Sequence, residues 1–167
     1  MSSIPVDLKG IKAFVLDMDG VVSATVSPVD VSGMPMRTVN VKDGYAMQYA
    51  VKQGYTLAII SGGESAAMRS RFESLGVQYI YMRIKDKVAC LEEFMAKTGL
   101  TLDEIAYIGD DIPDIGIMRL VALPVAPADA APEVKGVAKY ISLCNGGYGF
   151  ITNGRSTWKG MTVKKNL

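Results

Sequence analysis

Acidic residues gather twice in this chain, at Asp17-Met18-Asp19-Gly20 and at Gly109-Asp110-Asp111-Ile112-Pro113-Asp114, each directly after a short apolar run. Carboxylates two residues apart can face one crevice while the glycine lets the backbone turn away. A carboxylate there can attack phosphorus, splitting one hard hydrolysis into two easier steps through an aspartyl-phosphate. A second carboxyl nearby can protonate a departing alkoxide and later take a proton from water. The later group carries three carboxylates, which repel one another unless a cation compensates, and hard oxygen ligands favour Mg²⁺. Both groups also fit a plainer role, as turns whose aspartates cap backbone amides.

Two further signals follow apolar runs or open helices. In Ile59-Ile60-Ser61-Gly62, a hydroxyl and the amides after it suit a phosphate oxygen, although a helix N-cap would use the same serine. Lys87, with Lys85 beside it, stands at the start of a helical stretch. An ammonium there can neutralise phosphate and hold a carboxylate; its plainer role is a solvated surface group.

Absences narrow the chemistry. The chain has no histidine, which removes Ser-His-Asp and Cys-His catalysis, histidine metal sites and phosphohistidine chemistry. Neither Cys90 nor Cys144 has an arginine six positions later, their spacing fits no zinc site or redox pair, and no GxxxxGK[ST] run occurs. Lys and Arg number 18 against 17 acidic residues, so no general attraction to nucleic acid or acidic membranes is expected. No secretory signal is expected, and no apolar run approaches the ~18 residues a membrane span needs, so a cytoplasmic setting is expected.

The elements that must position these residues alternate between strand and helix, predicting one α/β domain over residues 1–167 with a doubly wound parallel sheet. Strands are expected at 13–16, 55–60, 77–81, 105–108, 121–125 and 139–142. Helices are expected after a cap at Asp43, at 64–75, at 85–97, in the turn opened by Pro113, and near 131–134. Residues 22–41 read as a β-hairpin turning near Ser32-Gly33, and 145–167 as a Gly-rich, then basic tail that is partly mobile. Thr101-Leu102-Asp103-Glu104 reads as a capping box. In such a sheet, ligands lie beyond the carboxyl ends of the strands, where strand order reverses. All four polar signals fall there, or at the start of a following helix.

The four motifs in this order resemble the haloacid-dehalogenase superfamily of aspartate-dependent phosphotransferases. Leu16-Asp17-Met18-Asp19-Gly20-Val21-Val22, Asn40-Val41-Lys42-Asp43-Gly44-Tyr45-Ala46-Met47, Asp86-Lys87, Ala106-Tyr107-Ile108-Gly109-Asp110-Asp111 and Gly146-Gly147-Tyr148-Gly149 are similar, more narrowly, to the 3-deoxy-D-manno-octulosonate 8-phosphate phosphatases. The resemblance implies a core with no large cap, a hairpin in its place, and a homotetramer whose subunits help close each site. It implies Asp17 as nucleophile, Asp19 as general acid/base, and Mg²⁺ held by Asp17, the main-chain carbonyl of Asp19, and Asp110. Ser61, Gly62 and Lys87 would bind phosphate, with Asp111 and Asp114 in support. The implied substrate is a small sugar-acid phosphate, with no nucleic acid or membrane partner.

Three departures sit around the expected leaving-group pocket. Gly63 follows the Ser-Gly pair where relatives carry a charged residue, Val22-Ser23-Ala24-Thr25 replaces the usual Leu-Thr-Asp-Gly, and Phe150 follows the glycine run in place of an arginine, with Arg155 only later. Arg71 and Arg69 are candidates for a sugar-acid carboxylate, a planar anion that suits arginine. Alternatives are a phosphatase for the related nine-carbon acid, a receiver-like phosphoryl acceptor, or a silent oligomerisation module.

Overall fold

The computed structural model describes residues 8–151. Its central strand, Ala13–Leu16 (β1), has only apolar side chains, all buried. Runs without polar alternation mark strands covered on both faces. Thr56–Ile60 (β2), Ile105–Ile108 (β4) and Leu123–Ala126 (β5) repeat the pattern, while Tyr79–Tyr81 (β3) and the short Tyr140–Ile141 (β6), at the two edges of the sheet, are only partly covered. They form one sheet in the order β3-β2-β1-β4-β5-β6, every pair parallel. The chain leaves β1 toward β2 and returns to β1's other side as β4, which puts the switch in winding at the β1/β4 pair.

Helices cover both faces. Val41–Lys52 (α1) and Ala66–Ser74 (α2) bury Met47, Ala50, Met68 and Phe72 against Phe14, Leu16, Leu57 and Ile59. On the opposite face Lys87–Thr98 (α3), Ile115–Met118 (α4) and Pro132–Val137 (α5) bury Leu91, Phe94, Ile117 and Val134 against Val15, Ala58, Ile60 and Tyr107. Each large apolar side chain fully buried stabilises by about 1.5–3 kcal/mol, and successive residues of β1 divide between the two cores. A one-residue slip would therefore exchange the two sets.

Several helix starts differ from expectation. Asn40, rather than Asp43, caps α1, its side chain accepting from the amides of Lys42 and Asp43. Ser65 caps α2 and Asp86 caps α3, so the serine at 61 is not a cap. Each cap is a short side chain on extended backbone, one residue before the first helical turn. Thr101 and Glu104 close only a single 3-10 turn at 102–104, where the Thr101 amide donates to Glu104.

The expected hairpin at 22–41 reverses where predicted, with Gly33 at φ 81° and Asp30 accepting from the amides of Ser32 and Met34 and from the Ser32 hydroxyl. Regular pairing between its two arms is limited to one antiparallel bridge, Val29 with Pro35. Pro28 and Pro35 lack the amides a longer ladder needs. The expected tail is seen only to Ile151; Arg155 and the rest of 152–167 lie outside the described residues.

Candidate active site

Strand register decides which polar residues meet. Leu16 lies opposite Ile59 on one side and Ile108 on the other. The next residues along the three strands are therefore Asp17, Ile60-Ser61 and Gly109-Asp110. All leave the sheet at one edge, the carboxyl end at the switch point. Of these, Asp17, Ser61 and Asp110 line a cleft of about 440 Å³ together with Asp19, Gly20, Lys85, Lys87 and Asp111.

Asp17 is 8% exposed. One of its oxygens accepts from the Met18 amide at 2.7 Å, and the other lies 3.0 Å from Lys87 Nζ. Burial first, then the Asp114 charge, push its pKa up to about 6, while Lys87 pulls it back. Burial alone would lower the Lys87 pKa, but Asp17 and Asp114 outweigh it and hold the ammonium charged. Lys87, the first residue of α3, is thus a buried cation and not a solvated one.

Asp114 is fully buried, and its oxygens are already engaged. Oδ1 accepts from Lys87 at 2.7 Å and from the Tyr107 hydroxyl at 2.5 Å. Oδ2 accepts from the amides of Asp110 and Asp111 at 3.0 and 3.2 Å. Its position needs Gly109, where a Cβ would lie 2.4 Å from the Asp114 Cβ. Asp111 turns outward and caps the Ile112 amide at 2.8 Å, as the plainer reading of this motif allows.

Asp110 differs from its neighbours. Its Oδ1 is buried and, among the described residues, has no hydrogen-bond partner. Burial, then Asp17, Asp114 and Asp111, raise its pKa to about 8, with Lys87 a partial offset. Oxygens of Asp17, Asp110 and Asp114 can all lie within 4.8 Å of one another. Because Asp114 is saturated with donors, Asp17 and Asp110 are the two with capacity for a small hard cation, which commonly takes one or two carboxylates and keeps water. Gly20 makes room for this: at φ 84°, a Cβ there would fall 1.8 Å from Asp110 Oδ2.

Ser61 is buried, and its Oγ accepts from the Gly63 amide at 3.1 Å, leaving the hydroxyl proton free to be donated into the cleft. Gly62 lines the cleft beside it. The structure does not bring Arg69 or Arg71 there. Arg69 donates to the Ile80 carbonyl at 3.3 Å, and Arg71 lies in a separate groove against Gly44.

Sequence reasoning missed two residues. Tyr107 reads as one more apolar strand position, although a tyrosine in an aliphatic run is a signal that its hydroxyl needs a buried partner. Arg37 carries no local signal, yet it reaches from the hairpin to Asp19, Nε to Oδ1 at 3.0 Å and Nη2 to Oδ2 at 3.1 Å.

A haloacid dehalogenase-like hydrolase pattern matches residues 80–150. The chain is 31% identical over 143 residues to the 3-deoxy-D-manno-octulosonate 8-phosphate phosphatase of Escherichia coli K12, covering 86% of this chain and 76% of that protein. The corresponding phosphatase of Moraxella catarrhalis, solved with magnesium, phosphate and the sugar acid, superposes with a TM-score of 0.88 at 29% identity over 95% of this chain and 91% of that one. A probable YrbI family phosphatase from Pseudomonas syringae gives 0.88 at 32% identity, over 93% and 88% of the two chains. At 31% identity over 86% of its length, with the same parallel-sheet fold as the solved phosphatases, the chain belongs to the 3-deoxy-D-manno-octulosonate 8-phosphate phosphatase family of haloacid dehalogenase-like hydrolases.

Proposed function

We propose that this chain hydrolyses the phosphate monoester of a small keto-deoxy sugar acid, 3-deoxy-D-manno-octulosonate 8-phosphate foremost, through an aspartyl-phosphate on Asp17. The observation that carries this is the buried Asp17 carboxylate held 3.0 Å from Lys87, beside a buried Asp110 oxygen that has no hydrogen-bond partner among the described residues. In the first step an Asp17 oxygen forms a bond to phosphorus, and the ester oxygen departs with a proton from Asp19. In the second, Asp19 takes a proton from water, whose oxygen attacks the phosphorylated Asp17 and releases inorganic phosphate. Lys87 keeps Asp17 anionic and, with the Ser61 hydroxyl and the amides after it, binds the phosphoryl oxygens. Asp17, Asp110 and the Asp19 main-chain carbonyl would hold Mg²⁺, which would supply charge neutralisation and orientation for the phosphate. Asp114 and Tyr107 fix Lys87, and Asp111 shapes the turn.

The assembly in this reading is a homotetramer. Its support is a row of exposed apolar side chains on and beside the hairpin, among them Val26, Val31, Met36, Val39 and Val41, since such patches mark association surfaces. A multiply charged sugar phosphate does not cross a bilayer unaided, which favours a cytoplasmic setting for its hydrolysis. The test is kcat/KM with Mg²⁺ across eight- and nine-carbon keto-deoxy sugar-acid phosphates, where the eight-carbon ester is expected to lead. No Mg²⁺-dependent phosphate release from any of them would sink the proposal.

A further inference from the structure

Resting on that phosphatase reading, we infer that Arg37 is a positioning residue for the Asp19 carboxylate, reaching from the hairpin into space that Gly63 leaves empty. Arg37 springs from a segment whose apolar neighbours Met36 and Val39 are 52% and 53% exposed, yet its own side chain is only 7% exposed. Its guanidinium meets both Asp19 oxygens in a fork, at 3.0 and 3.1 Å. The remaining nitrogen, Nη1, donates to the Glu64 carbonyl at 3.0 Å and lies 3.4 Å from the Pro35 carbonyl. One side chain thus ties the hairpin, the loop after β1 and the loop after β2 to a single orientation of Asp19.

Gly63 makes this possible. A Cβ there would stand 2.6 Å from Arg37 Nη2 and 2.9 Å from Asp19 Oδ2. Its backbone does not have the positive φ of Gly20 or Gly33, so glycine is needed at 63 for room and not for conformation. Asp19 is half-exposed at the cleft, and an untethered carboxylate on a loop would sample many rotamers. Two parallel charge-assisted bonds remove that freedom, and small displacements of a reacting group cost rate steeply. A lysine could not replace the fork, being a point charge on a flexible stem.

The test uses the full-length protein with Mg²⁺ and p-nitrophenyl phosphate, whose leaving group departs without a proton and so keeps weakened variants measurable. Because Asp19 must still take the proton from water in the second step, Arg37→Ala and Arg37→Lys are each expected to lower kcat about tenfold or more with little change in KM, a share of the ~10²–10⁴ that a positioned acid–base group supplies. In an Asp19→Asn background, Arg37→Ala should change kcat less than about twofold, because the group it positions is gone. Gly63→Ala should lower kcat in the native chain and lower it by clearly less once Arg37 is alanine, when only the contact with Asp19 remains. Thermal melts of each variant separate misfolding from mispositioning, and the Gly63→Ala pair decides the matter if the Asp19→Asn protein is too slow to measure. A rise in KM alone, full rescue by lysine, or an equal Gly63→Ala effect with and without Arg37 overturns the assignment. If the native chain itself releases no nitrophenolate, or Asp17→Asn retains full turnover, the phosphatase reading has failed instead.

Discussion

Substituting Asp110 by asparagine removes one negative charge and nothing of the side chain's shape, and the expected result is a metal-free protein that becomes more stable. In the native chain Asp110 has its pKa raised from 3.8 to about 8, by burial first and then by Asp17, Asp114 and Asp111. A carboxyl raised in the folded state binds more protons there than in the unfolded chain between those two values. Stability is therefore greatest below about pH 4 and is lost as pH rises through about 8. At about 1.4 kcal/mol per tenfold, the rise from 3.8 to about 8 sets a ceiling near 6 kcal/mol. Asp110 is only partly buried and faces an open cleft, so solvent screening leaves about 1–3 kcal/mol.

For a chain of 167 residues that corresponds to a Tm increase of about 3–8 °C at pH 8. The assay is thermal unfolding by circular dichroism in EDTA, from pH 4 to pH 9, repeated with excess Mg²⁺. Native and Asp110→Asn proteins should coincide near pH 4 and separate in favour of the variant as pH rises. Mg²⁺ should raise the native Tm at pH 8, where the Asp110 proton is readily displaced, and leave the variant nearly unmoved. A variant less stable than the native chain at pH 8 in EDTA would refute the idea that Asp110 is an uncompensated charge awaiting a cation.

Three other outcomes follow from the same geometry. Asp17→Asn should abolish phosphate release whereas Asp111→Asn, whose side chain turns outward to the Ile112 amide, only weakens it; equal mild losses by steady-state kinetics would contradict the division of roles. Lys87→Met should cost about 3–5 kcal/mol in denaturant unfolding at neutral pH, because Asp17 and Asp114 lose the cation 3.0 and 2.7 Å away; unchanged stability would argue against Lys87 as their counterion. Gly20→Ala should lower both stability and Mg²⁺ affinity by isothermal titration, since its Cβ would occupy the Asp110 carboxylate and its φ of 84° disfavours alanine.

The strands were legible because their residues are apolar without alternation, a pattern that identifies a sheet covered on both faces. Asp17, Ser61 and Asp110 were legible for the same reason, as the first polar residues after those runs. Helix starts were less so: Asn40 and Asp43 are both plausible caps on composition, and only backbone geometry separates them, with Asn40 extended at φ −100° and ψ 118°. Arg69 and Arg71 lie on a helix next to a motif, yet helix rotation sends them to the Ile80 carbonyl and the Gly44 groove. Arg37 is 18 residues from its partner, in a segment with almost no regular pairing, so periodicity could not place it. The two glycines that admit Arg37 and Asp110, at 63 and 20, can be read as turns from sequence; their use as space shows only when a Cβ is set against a neighbour.

The charges of the cleft also explain why three clustered aspartates share one buried lysine. Asp17, Asp110 and Asp114 cluster around one buried ammonium, leaving an excess of two negative charges if all ionise. Asp114 is satisfied by Lys87, Tyr107 and two amides, so the excess falls on Asp17 and Asp110, the two whose pKa values rise to about 6 and about 8. In a metal-free site at neutral pH a proton resides on Asp110, the less costly of the available neutralisations. A divalent cation displaces that proton and matches the excess in both sign and magnitude. Loss of that proton alone would push the Asp17 pKa higher by repulsion, so the cation's own charge is what would favour the Asp17 anion, the form the proposed mechanism requires.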